Sequence, residues 1–428
     1  MPEIPSAEMQ FDKDARVVGS VDAVLALANG PCTDLIVASH GWNNEARDAR
    51  ALYDQWRSSM RDVLAQGRVP ALTNRKIAFA GVIWPSMKFA DDQGNLGGGA
   101  AGASPGDTHD ILEKIDDLRT LFPDPAAQQR LDAAAALVPL LEDRATARKQ
   151  FAEHIQTLFD RNAVDDEDAS NDLVEMDGGE LMKRLAVPIA VAARPDDVGG
   201  AAGLGDTGAA AGFGDFLSGP LGAAKKLLNF TTYFEMKARS ADIGARGVAP
   251  VIGRIRTSRP DLNIHLLGHS FGARLVSATA KALPQDSVAT LSLAQGAFSH
   301  HGFARDFEPG KNGFFRQVID QKTIRGPILI TKTANDKAVG IAYAIASRVA
   351  NDAASGVGDA SDKYGGIGRN GAVKTPEAVD ARLLAVGGSY AFRPRALHNL
   401  LADDFIGDHS AVKGAEVAYA VLSAIGAG

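Results

Sequence analysis

The stretch HLLGHSFGARLV, residues 265–276, sets Ser270 between two glycines. An apolar run ends at this point, and helix-forming residues follow at once. Gly268 and Gly272 let a chain turn sharply without a Cβ clash. Ala273 is small as well, which lets the new helix sit close to the strand. The side chain of Ser270, after His269, would then project at the end of a strand. The helix N-terminus beneath it favours developing negative charge. A serine so placed suits attack on an acyl carbon once a base takes its proton. G-x-S-x-G alone is a common pattern; its position between strand and helix gives it the character of a nucleophile elbow.

A second group, Ser39-His40-Gly41-Trp42, also ends an apolar run. Acyl transfer needs two N–H donors aimed at the oxygen of the tetrahedral intermediate. The residue after the nucleophile, Phe271, can supply one. The loop after an earlier strand supplies the other, here from Trp42 or from Gly41 beside it.

These groups need strands to carry them. DLIVAS (34–39) is a short run rich in β-formers, and KIAFAGVIW (76–84), NIHLLG (263–268), ATLSLA (289–294), GPILITKT (326–333) and ALHNLLA (396–402) repeat the type. Between them, Ala49, Leu52, Tyr53, Trp56, Met60 and Val63 recur at helical spacing over 45–66, with Asn43 or Asn44 as the expected cap. Helical patterns also cover 273–283, 338–351 and 410–425. Strands alternating with helices predict an α/β fold with a mostly parallel central sheet flanked by helices.

The rhythm breaks over residues 86–228. A helical region over 110–190, clearest at QRLDAAAALVPLLEDRATARKQF, precedes a glycine-rich stretch over 198–222. A second glycine-rich loop covers 353–372. The expected organisation is a first core part over 1–85, an inserted cap over 86–228 and a second core part over 229–428.

Composition narrows the function classes. The chain has 428 residues, and its net charge of −7 comes without a clustered basic face, which argues against a nucleic-acid partner. Cys32 is the only cysteine, so neither a disulfide framework nor a cysteine-based metal site is expected. The first residues lack a basic and apolar leader pattern, and no long apolar stretch forms a membrane span. These features make a cytoplasmic location the expectation.

With HGW at 40–42 and GHSFGA at 268–273, the chain resembles the α/β-hydrolase superfamily over about 35–85 and 229–428. The resemblance implies that superfamily's fold and a serine esterase or lipase-like activity. It also implies a chain order of nucleophile, acid and histidine, with the acid after a later strand and the histidine after the last one. Asp336, in TANDKAV, and His409, in GDHSAV, match those places. Such a histidine takes the serine proton, and a buried carboxylate fixes its tautomer. Asp403 and Asp404, after the last strand, are rival acids, whereas Asp408 adjoins His409 in sequence and is poorly placed to reach the imidazole; His300 and His301 are rival bases that come too early in the order. His269 is expected to pack beside the elbow, and His265 to be a satisfied core group. A triad of this kind needs no cofactor and no metal.

The expected reaction is cleavage of a carboxylic ester through an acyl-enzyme, on a small-molecule or lipid-like acyl substrate. Amide, thioester or phospholipid hydrolysis on the same triad, and a non-catalytic binding protein that kept the fold, are the alternatives. GLGDTG (203–208) and GIGRNG (366–371) match a nucleotide-binding pattern, but neither follows a convincing strand, so no nucleotide is expected. The pair His300–His301 lacks further ligands at metal spacing. Within the glycine-rich stretch, Phe213, Phe216, Leu217 and Leu221 are the large apolar residues placed to line an acyl pocket, or to touch a lipid surface transiently, if the stretch serves as a lid.

Overall fold

The computed structural model describes residues 3–86, 108–159, 167–168, 170–187, 219–336, 338–339 and 360–428. The chain divides into two compact units. One comprises Met1–Lys88, Met236–Val339 and Gly366–Gly428; the other comprises Phe89–Glu235 and Gly340–Gly365.

The first unit is built on nine strands: β1 (Ser6–Phe11), β2 (Val17–Val18), β3 (Asp34–Ser39), β4 (Ile77–Ile83), β5 (Asn263–His269), β6 (Thr290–Ala294), β7 (Ile328–Lys332), β8 (Ala378–Arg382) and β9 (Leu397–Leu401). Their order is β2-β1-β4-β3-β5-β6-β7-β9-β8. Only the β1–β2 pair is antiparallel. The fold is therefore α/β with a mostly parallel sheet.

The six apolar runs form β3, β4, β5, β6, β7 and β9. They read clearly because helices cover both faces of the sheet, so inward and outward side chains are apolar alike. The three strands missed in the sequence lie at or near the sheet margins. β1 buries only Met9 and Phe11 of its six residues, and β8, with Asp380 and Arg382, buries none. Such polar margins protect a sheet from pairing with other chains and leave little apolar pattern to read.

Register brings the strand ends into line. Ser39 pairs with Gly268, Gly268 with Leu293, Leu293 with Ile330, and Ile330 with Asn399. The loops after β3, β5, β6, β7 and β9 therefore leave the sheet along one edge, where ligands bind in open α/β sheets.

Helix α1 (Ala46–Ala65) buries the six apolar residues its periodicity picks out, Ala49 to Val63. The expected asparagine cap is corrected: Glu45 caps the helix through a reciprocal capping box with Asp48. Asn44 instead donates to the carbonyls of Gly41 and Trp42, at 3.1 and 2.9 Å. Asn43 takes a left-handed φ of 61°. The tight loop after His40 thus uses Asn44 to satisfy two of its own carbonyls. The elbow serine precedes helix α2 (Phe271–Ala282), and the C-terminal helix α3 (Ala415–Ala427) packs with α1 in the core. Trp56, fully buried in α1, donates from its indole to Val412 O at 3.0 Å. Ser59 donates to Lys413 O at 2.7 Å. Two helix residues thereby fix the loop that precedes α3.

The second unit contains the helices Thr108–Leu121, Pro125–Leu137, Ala145–Gln156, Ser170–Glu175 and Gly178–Leu185, with buried Leu118, Leu131, Phe151 and Leu181. The run 129–151 is broken around Pro139 by a 3-10 turn, because proline cannot continue the α-helical hydrogen-bond ladder. Asp124 and Asp177 cap two of these helices through their side chains. Leu221, partly buried, lies in the first turn of the helix Gly219–Asp242. Phe213, Phe216 and Leu217, the rest of 198–218, and the helix expected over 338–351 beyond residue 339 lie outside the described residues.

Candidate active site

Ser270 stands between β5 and α2 with φ 57° and ψ −125°. A residue with a β-carbon held in such a region costs about 1–3 kcal/mol and persists only where its surroundings over-determine it. Three backbone bonds do so: Ser270 N donates to Ala294 O, while its own carbonyl accepts from Ala273 and Ala297. The flanking glycines are required by contact. A Cβ at Gly272 would lie 2.3 Å from Ser39 O and 2.4 Å from His40 O, and one at Gly268 would lie 2.3 Å from Gly272 O. No side chain fits between the elbow and the end of β3.

The Ser270 hydroxyl lies 2.9 Å from His409 Nε2, and His409 Nδ1 lies 2.8 Å from Asp336 Oδ2. The loop after β9 and the loop after β7 thus meet at the elbow. Ionised carboxylate only accepts, so Nδ1 carries a proton and Nε2 faces the hydroxyl as an acceptor. Burial disfavours the charged form of His409, but the Asp336 carboxylate outweighs it and holds the imidazole above its ordinary value. Burial works against the charge on Asp336 too; His409 and the N–H of Val339 more than offset it, and the acid is held below its ordinary value.

The rival residues are engaged elsewhere. Asp403 accepts from the Thr333 hydroxyl at 2.7 Å and from Ala334 N at 3.1 Å, bracing the turn that presents Asp336. Asp404 forms an exposed pair with Arg382, and Asp408 accepts from Ser410 N. His300 and His301 face each other, Nε2 to Nε2, at 3.1 Å, and Asn370 lies 3.0 Å from His300 Nδ1. Among the described residues no group of three or more His, Cys, Asp or Glu could hold a metal ion. His265 bonds to Asp34 and Thr290 at 2.9 Å each, far along the strand from the elbow.

His269 does more than pack. Its Nε2 lies 2.8 Å from the backbone carbonyl of His409, so this nitrogen is the donor. Burial keeps the ring neutral, with its pKa lowered to about 3. Sequence reading missed this role because the partner is a backbone carbonyl 140 residues away.

The loop after β3 lies against the elbow. A Cβ on Gly41 would stand 2.6 Å from Ser270 Cβ. Tyr53 OH accepts from His40 N at 2.9 Å and donates to Val82 O. Trp84 N donates to His40 Nε2 at 3.3 Å, so His40 Nδ1, 2.8 Å from Gly41 O, is the donor there. Burial lowers the His40 pKa to about 4, which keeps this single neutral tautomer. The Gly41 carbonyl is thus turned towards His40 and Asn44. The N–H of Trp42, trans across the same peptide plane, faces the opposite way. The rings of Trp42 and Phe271 approach to 6.0 Å between centroids, so the two residues expected to donate are neighbours.

The GIGRNG stretch lies beside the turn that carries the acid. Ile367–Asn370 make one helical turn, and Gly368 O accepts from the Thr333 backbone and from the Gln295 side chain. Its glycines serve close packing beside the acid. No helix among the described residues is long and apolar enough to cross a membrane. No family model, curated protein or solved structure matches the chain.

Proposed function

We propose that this chain is a serine hydrolase of the α/β-hydrolase type that cleaves a carboxylic ester through an acyl-enzyme. The observation that carries the reading is the hydrogen-bonded series Ser270 Oγ, His409 Nε2, His409 Nδ1, Asp336 Oδ2 at a strained strand–helix turn.

Each step follows from that series. His409 accepts the Ser270 proton as Oγ attacks the acyl carbon. Asp336 holds the imidazole in the tautomer that can accept, and stabilises the imidazolium that results. The N–H groups of Phe271 and of Trp42 or Gly41 receive the oxyanion, and the positive end of α2 adds to them. His409 then returns its proton to the departing alkoxide. Water repeats the sequence and releases the acid. No cofactor enters any step.

The insertion is read as a cap. The chain enters it past the carboxyl end of β4, and β4 lies next to β3 in the sheet. A small or lipid-like acyl compound is the substrate class that fits an ester-cleaving site of this design. Hydrolysis of 4-nitrophenyl esters of graded acyl length tests the reading. Turnover by the full chain, lost in Ser270→Ala with the fold retained, is expected; equal turnover by both proteins would overturn it.

A further inference from the structure

Gln295, the first residue after β6, plays no part in the steps above. It is fully buried and holds a left-handed φ of 46°, which a residue with a β-carbon seldom adopts. Its side-chain amide makes three bonds. Oε1 accepts from the Thr331 hydroxyl at 2.9 Å, and Nε2 donates to Asp336 Oδ2 and to Gly368 O, at 3.1 Å each. The orientation of the amide is not arbitrary: two acceptors face one end, so that end must be the NH2. Thr331 Oγ in turn accepts from Gln295 N at 2.9 Å, which clamps backbone and side chain together.

Asp336 Oδ2 is the same oxygen that receives His409 Nδ1. The two donors fix one oxygen from two directions, while Val339 N holds Oδ1 at 3.0 Å. These three bonds hold both oxygens, and the carboxyl plane cannot rotate without breaking one of them. Simple packing would not need an amide here, since a buried polar side chain is costly unless its partners are exact in geometry.

We infer that Gln295 is a positioning residue of the proposed relay, whose amide fixes the Asp336 carboxylate in the orientation His409 requires. The inference rests on the hydrolase reading. Gln295 touches no substrate; it acts through Asp336. Its N–H also draws charge from Oδ2. Without it, that oxygen binds the imidazolium more strongly, and His409 keeps its proton to higher pH. Two other titratable groups act on the pair, His269 on Asp336 and Asp408 on His409, and Lys413 acts on His269 in turn.

The test is the rate at which a fluorophosphonate labels Ser270 in the full chain, followed across pH. Gln295→Met keeps length and removes the donor. Thr331→Val leaves Gln295 in place but frees its Oε1 end. Gln295→Met should label at least about tenfold more slowly, because a charge-assisted bond is lost. The acid midpoint of its profile should move up by about half a pH unit or more. Thr331→Val should shift both quantities in the same direction by less. In ester turnover, kcat should fall and KM stay unchanged. If the wild type is labelled and a folded Gln295→Met matches it in rate and midpoint, the inference falls while the hydrolase reading stands. If Gln295→Met does not fold, Thr331→Val decides by the same criterion. If Ser270 of the wild type takes no label, the hydrolase reading falls and the inference with it.

Discussion

His269, the residue before the elbow serine, donates through Nε2 to the backbone carbonyl of His409 at 2.8 Å. The strand that carries Ser270 therefore also holds the residue that faces it. Trp56 and Ser59 secure the same loop farther along, at Val412 and Lys413. His269→Phe keeps a ring in this space and removes the donor. We expect kcat for ester hydrolysis to fall by about tenfold with KM unchanged, since one buried hydrogen bond is lost and only the base moves. A variant with wild-type kcat would show that the loop is held without His269.

The acid assignment separates three aspartates. Asp336→Asn should lower kcat by about 10³-fold or more, because the histidine tautomer is lost. Adding His409→Ala to it should cost little further, since the three groups act as a unit. Asp404→Asn removes an exposed pair with Arg382, so activity should stay within about twofold, as expected of a surface ion pair. Asp403→Asn falls between, acting through the turn at Thr333 and Ala334. A crippled Asp404→Asn beside a mild Asp336→Asn would reverse the assignment.

The pH profile carries a defined sign. His409 must be neutral to accept a proton, and its pKa is raised by Asp336 against the opposing effect of burial. Activity should therefore fall as pH drops through a midpoint above about 6.5, the ordinary imidazole value. Asp336→Asn removes the charge that raises it, so the residual activity should show a lower midpoint. kcat/KM measured from pH 5 to pH 9 checks both; a wild-type midpoint below that of the variant would contradict the coupling.

Two glycines should fail in different ways. Gly272→Ala drives a Cβ into the backbone oxygens of Ser39 and His40, which cannot move without shifting β3. A loss of about 3 kcal/mol or more in denaturant unfolding is expected. Gly41→Ala meets the side chain of Ser270 first, at 2.6 Å from its Cβ. Its stability loss should be smaller and its activity loss greater than about 10²-fold, because a displacement near 1 Å at the reacting atom is that costly. Full activity in Gly41→Ala would remove the β3 loop from the site.

The central strands and the elbow are legible in the sequence for related reasons. A strand buried on both faces writes a continuous apolar run, and a sharp exit from it must be written in glycine. Asp336 and His409 can be found because each follows such a run. The margins are silent: Val17, Val18 and Asp380 lie on strands that bury no residue and so write no apolar run. Gln295 leaves no pattern, because one glutamine after a strand acquires meaning only when Thr331, Asp336 and Gly368 converge on it. Asn44 misleads in the same way. Its residue type suits a helix cap, yet its amide donates to the carbonyls of Gly41 and Trp42, and Glu45 caps the helix.

Identification of the residue modified by a fluorophosphonate, by mass spectrometry of the intact chain and its peptides, tests the central claim most directly. An activated serine attacks phosphorus as it attacks an acyl carbon, and the adduct is stable. The account predicts one adduct, on Ser270, formed rapidly above the His409 midpoint and abolished in both Ser270→Ala and His409→Ala. Stoichiometric labelling that persists in folded Ser270→Ala, or no labelling of the wild type at any pH from 6 to 9, would contradict it.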